Sequence, residues 1–187
     1  MKVFGPVPSR RLGRSLGINN IPAKVCSYSC VYCQMGRTVR MEVERIPFYG
    51  AEEIAREVAE KVETTRAMGK TIDYLTFVAD GEPTLDANLG QEIELLQPLG
   101  IRVAVITNGS LMPLEDVREE LMKADWVSLK VDSTREKVWR RINRPHRTLQ
   151  LAVILDGMLE FARAFRGELV TETMLAQGVN DESDNLA

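Results

Sequence analysis

A chain of 187 residues with 44% apolar content suits one domain with a real core, and no run of about 18 or more apolar residues offers a membrane span. The amino terminus, Met1-Lys2-Val3-Phe4-Gly5-Pro6, lacks the apolar stretch of a secretory leader, so a soluble cytoplasmic protein with no membrane partner is expected. The net charge of −3 hides an asymmetry: residues 1–41 carry seven Lys or Arg and no acid, which argues for a local anionic partner and against a generally basic protein.

Taken in chain order, Leu16 to Asn20 reads as an opening strand that leads into a cysteine-rich loop. Residues 51–68 place Ile54, Val58 and Val62 at four-residue spacing among charged residues, with Gly69 as a stop, which predicts an amphipathic helix. Ile72 to Ala79 is a short run of aromatic and β-branched residues and predicts a strand buried on both faces. A helix from Asn88 to Leu99 follows, with Leu89, Ile93, Leu96 and Leu99 on one face. Next come a strand over Ile101–Thr107 and a helix opening at Pro113 with Leu114, Val117 and Leu121 inward. Trp126 to Val131 is a further strand. A long helix after Thr148 carries Leu151, Leu155, Met158 and Phe165, and Leu169 to Leu175 closes the series. Strands alternating with helices predict a parallel α/β sheet, open or closed into a barrel, with ligands at the carboxyl ends of the strands.

Cys26-Ser27-Tyr28-Ser29-Cys30-Val31-Tyr32-Cys33 holds every cysteine of the chain at C-x3-C-x2-C spacing. An odd number so crowded makes no disulfide framework. Thiolates close together on a loop are the ligands of iron-sulfur clusters, and three of them leave one iron of a cubane open to chemistry. Two alternatives stand beside this. A structural zinc needs four closed ligands, and the single histidine, His146, is far away in the chain. Buried cysteines also pack as inert small hydrophobes.

The loop resembles the signature of the radical S-adenosylmethionine (radical SAM) superfamily, C-x3-C-x-aromatic-C, with Tyr32 at the aromatic position. The likeness continues through Val7-Pro8-Ser9-Arg10-Arg11-Leu12-Gly13-Arg14-Ser15-Leu16-Gly17, Gly81-Glu82-Pro83-Thr84-Leu85, Asn143-Arg144-Pro145-His146 and Thr173-Met174-Leu175. These resemble a branch of iron-sulfur oxidoreductases related to the wyosine tRNA-modifying enzymes. The resemblance implies a partial (β/α) TIM-like barrel forming one radical SAM core domain over 1–187. It implies a [4Fe-4S] cluster on Cys26, Cys30 and Cys33 whose open iron takes the amino and carboxylate groups of S-adenosylmethionine. It further implies an enzyme that cleaves this cofactor to a 5′-deoxyadenosyl radical, with an electron donor such as flavodoxin or ferredoxin.

By the same resemblance, the backbone at Tyr32 faces the adenine, and Gly81 and Glu82 bind the methionine ammonium. Asp80 stands where the family pattern has a first glycine. Asn108, Lys130, Asp132 and Ser133 sit at later strand ends, where family members contact ribose and carboxylate. Lys130 and Asp132 share a strand face by the period of two, and a purely structural ion pair is the competing reading. His146, beside Pro145, reads as a turn residue. Arg10, Arg11 and Arg14 either balance an anionic cluster or meet a phosphate-bearing substrate such as RNA. A small-molecule, protein or RNA substrate all remain open, and a non-catalytic electron-transfer or metal-binding module is the alternative to an enzyme. About five strands are counted, and Asn180, Asp181 and Ser183 look like the entry to a helix whose apolar periodicity never arrives, so a carboxyl-terminally truncated core is expected.

Overall fold

The computed structural model describes residues 1–181. The main sheet contains strands β1 (Val3–Ser9) and β2 (Gly13–Ile18), which form an antiparallel hairpin. Two short strands, β3 (Val25–Cys26) and β4 (Arg40–Met41), pair in parallel on their own. Then come β5 (Tyr74–Phe77), β6 (Arg102–Thr107), β7 (Trp126–Lys130) and β8 (Glu168–Glu172). The sheet order is β1-β2-β5-β6-β7-β8, and every pairing after the first hairpin is parallel. Helices α1 (Ala51–Ala67), α2 (Leu89–Leu96), α3 (Glu115–Leu121), α4 (Glu136–Ile142) and α5 (Leu151–Ala164) supply the crossovers.

Alternation along the strands separates two faces. Leu16, Leu75, Phe77, Val103, Val105, Val127 and Leu129 join one apolar core with the inward residues of the helices, among them Ile54, Val58, Ile93, Val117 and Phe161. The opposite face carries Tyr74, Ala104 and Trp126, on which Leu12 from the β1–β2 turn packs. Polar Ser15 and Thr76 lie on that face and share a hydrogen bond of 2.7 Å across the β2–β5 pair. Arg11, in the same turn, forms an ion pair with Glu172 at the end of β8. Elements from the two ends of the strand order thus touch, so the sheet curls into a partial (β/α) barrel with the β1–β2 turn folded onto its inner face.

The expected helices and strands recur with shifted ends. The helix of α1 stops where expected, since Gly69 takes a left-handed φ of 71° that other residues resist. Burying Ile54, Val58 and Val62 is worth roughly 1.5 to 3 kcal/mol for each side chain. The opening strand lies earlier than Leu16–Asn20, because Gly13 to Arg14 already pair with β1. Strand β1 itself was not expected: its Pro6 and Pro8 discourage a strand, yet an edge position tolerates a missing N–H. Helix α3 begins at Glu115, after Pro113, and Leu114 is 41% exposed at its N-cap instead of inward. Helix α4 was also missed, since a seven-residue element burying only Trp139 and Ile142 gives too short a pattern to read. Phe165 lies just past α5 but stacks on Phe161, and Met174 and Leu175 lie past β8, largely exposed. Among the described residues, no helix is long and apolar enough to cross a membrane. The Asn180 side chain donates to the carbonyls of Asp132 (2.9 Å) and Met174 (2.8 Å), and the helix expected to open there, with Ser183, lies outside the described residues.

Candidate active site at the carboxyl ends of the strands

The cysteine loop leaves the end of β2 and is clamped from two sides. On one side the Lys24 N–H donates to the Asp80 carbonyl (2.7 Å), and the Glu82 N–H donates to the Val25 carbonyl (3.1 Å). Gly81 lies in this clamp: a Cβ there would stand 1.9 Å from the Val25 carbonyl oxygen, so only glycine lets the two backbones meet. On the other side the connection between α4 and α5 takes over. The Ser29 N–H donates to the Asn143 carbonyl (3.0 Å), Val31 N–H to Ile142 (2.9 Å), and His146 N–H to Ser27 (2.8 Å). Tyr28 is buried beneath the loop, where its hydroxyl accepts from Trp139 Nε1 at 3.2 Å. Thr38 closes the loop through its hydroxyl to the Tyr28 carbonyl (2.5 Å).

So held, Cys26, Cys30, Cys33, Met35, Asp80 and Gly81 border a cavity of about 110 Å³. Among the described residues, no three Cys, His, Asp or Glu side chains converge as ligands of a single ion do. The three cysteines instead border one cavity together, which fits a group offering each thiolate its own metal. Burial, with Glu82 as the second cause, pushes the Cys26 thiol up to about 12, and burial likewise raises Cys30. Both sulfurs therefore hold protons at neutral pH until a cationic centre displaces them. Amide donors already face these sulfurs: Asn108 Nδ2 lies 3.5 Å from Cys26 Sγ and Asn143 Nδ2 3.4 Å from Cys30 Sγ.

The remaining expected residues fall into two groups. Glu82, 1% exposed, accepts from Thr84 N (3.1 Å), Thr84 Oγ1 (2.7 Å), the Thr107 hydroxyl and Asn108 N (2.7 Å). Its carboxyl is pushed up by burial, against those hydrogen bonds. Asn108 adds a bond to Ser27 Oγ (2.9 Å), so Glu82, Asn108 and Cys26 form one connected set. Asp132 centres the second group: it accepts from the Tyr32 hydroxyl, from Asn143 Nδ2 (2.6 Å) and from Met174 N (2.7 Å). Lys130 lies 3.8 Å from Asp132, 3.9 Å from Glu172 and 5.2 Å from the Tyr32 ring centre. Ser133 Oγ accepts from the Arg135 N–H (3.0 Å) at the entry to α4. Asn143 ties the second group to Cys30, and sequence reasoning gave it no role, although the Asn143-Arg144-Pro145-His146 segment had been singled out.

Two side chains of the arginine-rich turn have partners within the chain. Arg14 donates to Thr71 Oγ1 (2.7 Å) by the amino end of β5, opposite the cysteines, while Arg11 pairs with Glu172. His146 Nδ1 meets Thr148 Oγ1 (2.8 Å) within its turn.

Residues 20–187 match the model of the radical SAM superfamily. The chain belongs to that superfamily. It is 54% identical over 183 residues to the UPF0026 protein MJ1312 of Methanocaldococcus jannaschii, covering 98% of this chain and 56% of that protein. The chain thus spans just over half the length of this relative. It also resembles a solved structure of TYW1 with a lysine-pyruvate adduct bound, at TM-score 0.65 and 16% identity, over 90% of this chain and 58% of that one. A structure of anSMEcpe with bound AdoMet gives TM-score 0.65 and 16% identity, over 91% of this chain and 46% of that one. At such identities these two likenesses establish the radical SAM partial barrel as the fold.

Proposed function

We propose that this chain holds a [4Fe-4S] cluster on Cys26, Cys30 and Cys33 and is an oxidoreductase that uses it with S-adenosylmethionine on a substrate that is a small molecule, a protein or an RNA. The observation that carries the reading is the single cavity bordered by all three cysteines, with Gly81 against the Val25 carbonyl as its wall. The cluster, when bound, supplies the electron that cleaves the cofactor to a 5′-deoxyadenosyl radical, which takes hydrogen from the substrate. Gly81 and Glu82 are assigned to the cofactor's ammonium, a cation that would offset the buried charge of Glu82. Tyr32, Asn108, Lys130, Asp132 and Ser133 are assigned to its adenine, ribose and carboxylate. The AdoMet held by anSMEcpe on the same fold supports this cofactor. A cytoplasmic location and a one-electron donor of the flavodoxin or ferredoxin class complete the proposal.

The test is anaerobic reconstitution with iron and sulfide, followed by electron paramagnetic resonance of the reduced protein with and without S-adenosylmethionine. A cubane signal that changes on adding the cofactor is expected. A signal indifferent to the cofactor would leave a non-catalytic electron-transfer module, and zinc in place of iron would leave a metal-binding one.

A further inference from the structure

We infer that Asn143 sets the reduction potential of the cluster by donating a hydrogen bond to the Cys30 sulfur, an inference that rests on the cluster assignment above. Asn143 ends α4 and is 1% exposed. Its position is determined from three sides. Its own N–H returns to the Trp139 carbonyl (2.8 Å), its carbonyl receives the Ser29 N–H (3.0 Å), and its side-chain amide is drawn to Asp132 Oδ2 (2.6 Å). The same Nδ2 stands 3.4 Å from Cys30 Sγ, a normal length to sulfur, and 3.4 Å from the Tyr32 hydroxyl, a long one to oxygen.

The orientation of the amide is decided by its surroundings. Asn143 Oδ1 is buried without a hydrogen-bond partner, which is unfavourable, yet turning the amide over would set that oxygen against the Asp132 carboxylate. The donor side is thus kept toward the sulfur. Asn108 is arranged differently: its Oδ1 accepts from Ser110 N (2.8 Å), and its Nδ2 lies nearer Ser27 Oγ (2.9 Å) than Cys26 Sγ (3.5 Å). Its interaction with sulfur is the secondary one.

Adding an electron to the cluster raises negative charge on its thiolate sulfurs, so a donor at Cys30 stabilises the reduced form more than the oxidised form. Removing it makes the potential more negative. Asp132 acts with the opposite sign, because its carboxylate stands close enough to act on the Cys30 sulfur.

The experiment is potentiometric titration of the reconstituted protein, with variants compared at equal iron and sulfide content. Asn143→Ala is expected to lower the equilibrium constant for one-electron reduction about tenfold, equivalent to about 59 mV. Because Asn143 also donates a hydrogen bond to the Asp132 carboxylate, the comparison is repeated in an Asp132→Asn background, which keeps an acceptor but removes the charge. Asp132→Asn alone should move the potential upward, and Asn143→Ala should still lower it there. An unchanged potential in that background overturns the inference. Asn143→Ser, whose hydroxyl is too short to reach the sulfur, is the second variant if the alanine protein does not fold. Loss of the cluster from both would show that Asn143 holds the loop and does not tune the sulfur, which also overturns it. A wild-type protein that takes up no iron would instead defeat the cluster assignment itself, before any variant is compared.

Discussion

Glu92→Gln should stabilise the protein increasingly as pH rises. Glu92 sits in the first turn of α2 with no exposure; one carboxyl oxygen accepts from Asn20 Nδ2 at 3.1 Å and the other has no partner. Burial, reinforced by nearby Asp86, pushes its carboxyl from 4.5 up to about 8. An acid raised in this way binds its proton more tightly folded than unfolded, so stability is full below about pH 4.5 and falls as pH rises through about 8. At 1.36 kcal/mol per pH unit, that interval amounts to about 5 kcal/mol, a large share of the 5–15 kcal/mol typical of a domain. Glutamine has the same shape and no charge, and its amide can donate to Asn20 Oδ1, which lacks a partner. The two proteins should be about equally stable near pH 4.5, and the variant should lead by several kcal/mol at pH 9. Denaturant unfolding followed by fluorescence of the buried Trp126 and Trp139, repeated across this range, measures the difference. Parallel stability curves would refute the reasoning.

Two further substitutions probe the cysteine loop. Gly81→Ala brings a Cβ to 1.9 Å from the Val25 carbonyl oxygen, next to Cys26, and should cost about 1 to 3 kcal/mol or more and reduce iron uptake; wild-type melting and iron content would remove the close approach from the account. Cys26→Ala, Cys30→Ala or Cys33→Ala should each abolish the reconstituted cluster, measured as iron and sulfide per chain, and any variant that keeps its full complement takes that residue out of the ligand set.

Local periodicity made much of the fold legible. Ile54, Val58 and Val62 announced α1 because a helix buries one stripe, and Leu75 to Phe77 announced a central strand because a parallel sheet covered on both faces needs a continuous apolar run. The hairpin partner β1 and the short α4 stayed hidden. Their burial comes from what they touch, namely β2 and the cysteine loop, and their own patterns are interrupted by proline or too brief.

The site divides along the same line. Spacing alone singled out Cys26, Cys30 and Cys33, since ligands of one cluster must come from a short loop, and composition alone set the basic amino terminus apart from the acidic remainder. Only the tertiary structure decided that Gly81 meets Val25, that Arg11 crosses to Glu172 at the end of β8, and that Asn143 reaches Cys30 across 113 residues of chain. The physical reason is range. Helix stripes, turns and ligand spacing are set by neighbours in the chain, whereas a hydrogen bond or a forbidden Cβ at a strand end exists only once the curled sheet has brought distant segments within a few ångströms.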